Sequence, residues 1–167
     1  GDDFEPVRRA AWQVGDALRD AGLTPFVKTT GSRGLHVVAP LKPGADFDRV
    51  RRACRRLADH LVARHPDALT SEQRKNKRHG RLYLDIMRNA FGQTAVAPYA
   101  VRAKPGAPVA TPLDWNEVND ADIGPRRYRV DNLFRRPGQK DDPWADMAHH
   151  AADIGTLETA LRAWGRD

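Results

Sequence analysis

Two amphipathic helical segments bracket one short, glycine-broken apolar stretch, and that order restricts the chain to a mixed α/β fold. In the first segment Val7, Ala11, Val14, Leu18 and Ala21 recur at helical spacing. Pro6 suits the first turn and Gly22 the stop, with Asp2 or Asp3 as the expected cap. The second helix is expected from about Asp46 to His65, with Phe47, Val50, Cys54, Leu57, Leu61 and Val62 on its apolar face. Arg49, Arg52, Arg56 and Asp59 lie mostly elsewhere on the wheel. Between the helices Pro25-Phe26-Val27, the GSRG turn and Leu35 to Ala39 read as strand, loop and strand, closed by Pro40 and Pro43.

Further along, LYLDIM at 82–87 reads as a strand with Asp85 inside it. TAVAPYAVRAKPG is rich in strand formers but is broken by Pro98 and Pro105. Asp114 is placed to cap a short helix, and residues 144–164 form a C-terminal helical segment. There is no internal repeat and no low-complexity tract. The expected architecture is α/β (α+β), a mixed sheet with flanking helices, in a single domain over 1–167.

Composition narrows the partners. A net charge of +6 and a pI near 9.9 favour a polyanion, nucleic acid first, although arginine and alanine enrichment also fits a GC-rich genome. No run of 18 apolar residues exists to cross a membrane. The start, GDDFEPVRR, lacks the apolar stretch of a signal peptide. Cys54 is the single cysteine, so it makes no internal disulfide and no zinc pattern, and it reads as a core residue. A cytoplasmic, nucleoid-associated location is the expectation.

The stretch KTTGSRGLHV, residues 28–37, gathers groups suited to phosphate. Glycines let backbone amides approach an anion. Thr30 and Ser32 are hydroxyl donors, Lys28 and Arg33 supply charge, and His36 follows on the next strand. The alternative is a plain glycine hairpin with exposed cations. It is not a Walker A loop, because the GxxxxGK[ST] spacing is missing.

Asp85 is the second conspicuous group. An acid in an apolar strand needs a partner, a cation or water. It reads either as a ligand for a hard ion such as Mg²⁺ or Mn²⁺, or as an edge-strand acid facing solvent. Alternation puts Tyr83 and Asp85 on one face, with Leu84 and Ile86 on the other. The run RKNKRHGR just before it holds Arg74, Lys75, Lys77 and Arg78, either a solvated face or a nucleic-acid backbone contact. Arg102 and Lys104 add cations, and Tyr99 either stacks on a base or fills the core, with the core as the expectation. His60 and His65 read as solvated. His149-His150 lacks HExxH spacing, and neither a nucleophile elbow nor a Rossmann fingerprint is present.

With these stretches in view, the chain resembles the polymerase domain of bacterial DNA ligase D, in the archaeo-eukaryotic primase superfamily. The resemblance rests on KTTGSRGLHVVAPL (28–41), KRHGRLYLDIMRNAFGQTAVAPYAVRAKPGAPVATPLDW (77–115) and DDPWADM (141–147), in the same order over most of the chain. It implies a nucleotidyltransferase in which divalent ions, often Mn²⁺, sit between aspartates and a nucleoside triphosphate. A primer 3′-hydroxyl attacks the α-phosphorus. Ser32 and His36 match the family's serine–histidine motif that holds the triphosphate, with Lys28, Thr30 and Arg33 as helpers. Asp85 matches a metal-binding carboxylate. Arg102 matches an arginine near the phosphates, and Arg78 a basic position near template or nucleotide. The implied partners are DNA ends with a 5′-phosphate, NTP or dNTP, the end-binding protein Ku and a ligase domain, in non-homologous end joining.

One departure outweighs the matches. The family carries an Asp-x-Asp pair on a strand before the first helix, and this sequence has none. Asp2-Asp3 is no substitute, because strand neighbours point to opposite faces. The expectation is therefore an incomplete site, the C-terminal catalytic portion of such a domain, with metal weak or absent and dimerisation or strand swapping at an open sheet edge. A non-catalytic DNA or nucleotide binder, or a half-domain that complements another chain, is the alternative. Arg88 also departs, standing where relatives often have a neutral polar residue.

Overall fold

The computed structural model describes residues 3–136 and 141–166. The sequence reading of Asp2 lies outside them. Helix α1 spans Glu5–Asp20. Its N-cap is Phe4, which has no capping side chain, and Asp3 Oδ1 instead accepts the Glu5 amide at 3.0 Å. Gly22, at φ +88°, ends the helix while its amide and that of Leu23 reach back to Arg19 and Leu18 carbonyls.

Strand β1 (Phe26–Thr29) pairs antiparallel with β2 (Leu35–Val38), as the sequence reading expects. Helix α2 (Phe47–Arg64) follows, capped by Asp46 Oδ1 on the Arg49 amide at 2.6 Å. Strands β3 (Leu69–Thr70) and β4 (Leu82–Tyr83) form a separate parallel pair. Strand β5 (Pro112–Leu113) adds to the far edge of β1, giving the order β2-β1-β5. Helix α3 (Trp115–Val118) and helix α4 (Ile154–Trp164) complete the elements.

The larger core is made by α1, α2 and α4. Ala10, Ala17 and Leu18 meet Ala53, Leu57 and Leu61, with Ile154, Leu157 and Leu161 closing the other side. Each fully buried leucine contributes about 1.5–3 kcal/mol. A second cluster, Val27, Leu113, Val118, Ile123 and Tyr128, lies against the sheet with Trp12 and Trp115 at its margin. Val27 fills that core, so the alternate residue Lys28 is turned to the opposite face.

Several sequence expectations need correction. Phe47 does not join the apolar face of α2: it is 56% exposed and stacks edge-on against Phe91. The strand expected over 82–87 stops at Tyr83, because β3 offers only Thr70 as a last partner for the Leu84 amide. Asp85 Oδ1 then accepts the Met87 amide at 2.9 Å and turns the chain away. Tyr99 is not a core residue. It is 40% exposed, sits at φ +62° and donates its hydroxyl to Asp142. The helical segment expected from 144 is not continuous: a short 3-10 helix covers Met147–His150, and α4 starts only at Ile154. His60 is not simply solvated, since its ring stacks on Trp164 with centroids 4.6 Å apart.

Candidate functional site

The site is built on the face of the hairpin opposite Val27. Lys28 and His36 are direct cross-strand partners, so their side chains rise from the same face. Lys28 is 2% exposed, and its Nζ has no hydrogen-bond partner among the described residues. Burial, and then the Arg102 guanidinium, push its ammonium down to about 8. His36 is pushed down to about 4, first by burial and then by Lys28, Arg102 and Arg88, against an opposing pull from Asp85. Lys28 is the cross-strand partner of His36, while Asp85, Arg102 and Arg88 act on it through their charge.

The loop beside this cluster is tightly bonded. Thr30 Oγ1 donates to the Gly34 carbonyl at 2.9 Å and accepts the amides of Ser32 and Gly34, each at 3.2 Å. In the unliganded chain the Thr30 hydroxyl therefore donates inside the loop. Arg102 Nη1 donates to the Thr30 carbonyl at 2.9 Å, and Arg126 Nε to that of Ser32 at 3.1 Å. Gly31 at φ +64° makes room for this, since a Cβ there would stand 2.7 Å from Arg102 Cγ. Ser32 is half-buried, and Arg33 is exposed.

The basic run is placed differently. Arg78 donates to the carbonyls of Glu72 and Gln73 and lies 4.5 Å over the Tyr83 ring. It holds the loop that leads to Asp85, and it is not among the charges felt by His36. Arg74, Lys75 and Lys77 are exposed. Cys54 is pushed up to about 11 by burial, which removes it as a nucleophile.

Sequence reasoning missed Arg126, which carries no local motif. It also missed that DDPWADM covers the site's flank. Trp144 Nε1 donates to the Val27 carbonyl at 3.0 Å, and its ring meets Phe26 edge-on.

The carboxylate set is sparse. Among the described residues no group of three or more His, Cys, Asp or Glu side chains could hold a metal ion. Asp85 is exposed and is the one acid among the charges acting on His36. A single carboxylate does not fit a two-ion centre. No helix among the described residues is long and apolar enough to cross a membrane.

Comparison with known proteins identifies the family and the fold. The chain is 33% identical over 133 residues to the multifunctional non-homologous end joining protein LigD of Pseudomonas aeruginosa, covering 78% of this chain and 16% of that protein. It is 29% identical over 153 residues to the bifunctional non-homologous end joining protein LigD of Bacillus subtilis, covering 91% and 25%. The chain thus spans a quarter or less of these curated relatives. Among solved structures it is similar to the polymerase domain from Mycobacterium tuberculosis ligase D in complex with DNA. There the TM-score is 0.81 at 29% identity, over 90% of this chain and 52% of that one. Residues 1–144 match the family described as LigD, primase-polymerase domain, and the chain belongs to that family.

Proposed function

We propose that this chain supplies the triphosphate-binding side of a nucleotidyltransferase that adds ribo- or deoxyribonucleotides to broken DNA ends in non-homologous end joining. The observation that carries the reading is Lys28. A buried ammonium without a partner is costly, and it persists here beside His36 and Arg102. A polyphosphate bound beside them would satisfy all three at once.

In this reading Lys28 and Arg102 bind phosphate oxygens, and neutral His36 donates one ring N–H. The Ser32 hydroxyl, which makes no hydrogen bond among the described residues, is a further donor. The Gly31 turn holds Arg102 against the loop, so its guanidinium is placed before the nucleotide arrives. Asp85 offers one carboxylate toward Mn²⁺ or Mg²⁺. The described donors do not complete that centre, so no chemical step is drawn through an ion. The DNA 5′-phosphate, Ku and a ligase domain enter only through the family. Arg74, Lys75 and Lys77 are the exposed cations for DNA, while Arg78 acts by holding their loop.

The lone carboxylate favours a second reading, in which the chain binds nucleotide and DNA without transferring. Ribonucleotide addition to a gapped DNA with a 5′-phosphate, with Mn²⁺ present, separates the two. Extension lost in Asp85→Ala supports transfer. No extension, with ATP binding retained, supports the binding module. Absence of ATP binding contradicts both.

A further inference from the structure

Helix α2 carries a row of guanidinium groups that the triphosphate site does not use. Arg51, Arg52, Arg55 and Arg56 line, with Asp48, a shallow surface groove of about 350 Å³. Arg49, on another side of the helix, is held by Glu158 through two bonds of 2.9 and 2.8 Å. The four groove arginines form no such ion pair among the described residues. Arg51 reaches only the Met87 sulfur, at 3.9 Å. Mutual repulsion among unpaired cations is tolerated where a polyanion is the intended neighbour.

The second observation is aromatic. Phe47 begins the same helical stripe, one turn before Arg51 and two before Arg55. It is 56% exposed and Phe91 is 83% exposed, with ring centroids 5.8 Å apart at 76°. An apolar pair left in water at the end of a cationic row calls for a ligand with both a flat apolar face and regular negative charge. Single-stranded nucleic acid has both. A duplex hides its base faces in its own stack, and an acidic peptide has none. One helical turn separates Arg51 from Arg55 by about 6 Å, so the two cations stand in file along the helix.

We propose that the α2 arginine row and the Phe47–Phe91 pair form a track for a single nucleic-acid strand, phosphates on the arginines and a base on the exposed rings. This does not rest on the nucleotidyl-transfer reading, because neither surface contains a triphosphate-site residue.

The test is fluorescence anisotropy of the full chain with a labelled oligothymidylate and with a blunt duplex of equal length, over a salt series. Phe91→Ala should weaken the oligothymidylate by about 5- to 100-fold and the duplex by less than about 2-fold, and Phe91→Trp should restore binding. Arg52→Ala with Arg56→Ala should lower the steepness of log affinity against log salt by about 0.7 per lost contact. The three substituted side chains, Phe91, Arg52 and Arg56, are exposed, so the melting temperatures should match the parent. Unchanged oligothymidylate affinity in these variants would overturn the proposal. So would equal losses on duplex, or displacement of the strand by polyglutamate at equal charge, which would assign the row to an acidic protein segment. ATP titration in the same variants should be unchanged, which separates this result from any failure of the triphosphate site.

Discussion

Lys28 and His36 face each other across the β1–β2 pair, two basic side chains in direct register, with the Lys28 Nζ buried and unpartnered among the described residues. With His36 neutral, the cost at that position is the buried Lys28 ammonium, which weakens the hairpin unless something else uses it. The arrangement is unfavourable for the empty protein and favourable for one holding a polyphosphate. Lys28→Met should therefore raise the melting temperature of the free chain by roughly 5 °C, by removing a depressed ammonium. The same change should weaken ATP about 10- to 100-fold. Differential scanning fluorimetry and titration calorimetry on one preparation check both signs.

The Lys28 ammonium also sets a pH dependence. Its folded value is lowered to about 8 from the ordinary 10.5, so the unfolded chain holds that proton over a range where the folded chain has released it. Stability from this group is present above 10.5 and is lost as pH falls through the window toward 8. Binding has the opposite sign. A bound triphosphate raises the ammonium's value, so ATP binding takes up a proton near pH 8 and weakens as pH rises further. Calorimetry in two buffers of different ionisation enthalpy measures that proton. Uptake that persists in Lys28→Met would assign it elsewhere.

Gly31 and Gly34 share one loop but not one role. Gly31 has φ +64° and would press a Cβ to 2.7 Å from Arg102, whereas nothing lies within 4 Å of the position at Gly34. Gly31→Ala should cost about 1–2 kcal/mol and reduce ATP affinity by displacing Arg102. Gly34→Ala should leave both nearly unchanged. Urea denaturation of the two variants beside the parent gives the comparison.

Arg136 and Glu117 form the most buried ion pair described, with side chains 9% and 16% exposed. Glu117 also accepts from the Asp114 amide at the start of α3 and from the Tyr128 hydroxyl. Removing one partner strands a buried charge, so Arg136→Met should destabilise the fold by about 3 kcal/mol. Chemical denaturation reads this directly, and the oligothymidylate affinity of the folded variant should not move.

Much of this framework was legible in the sequence. The period of α1 and α2, the glycine stop at Gly22 and the hairpin around GSRG follow from local patterns, and the structure places them there. Residues 82–87 were misread because apolar content does not reveal how long the neighbouring strand is. Phe47 was misread because helical periodicity assigns a face, not what covers it. KTTGSRGLHV disclosed its phosphate-suited groups, but not that the Thr30 hydroxyl would donate inside the loop. Nor could spacing disclose Arg126, which meets Ser32 from 94 residues away.

The central claim is that the buried, unpartnered Lys28 marks a polyphosphate site. Its most direct test is calorimetric titration of ATP into the parent chain, Lys28→Met and a surface control, Lys42→Met, whose exposed lysine pairs with exposed Asp153. The account predicts saturable binding by the parent and the control, and at least a tenfold loss in Lys28→Met with its fold intact. Equal affinity in all three chains, or no binding by the parent, would contradict it.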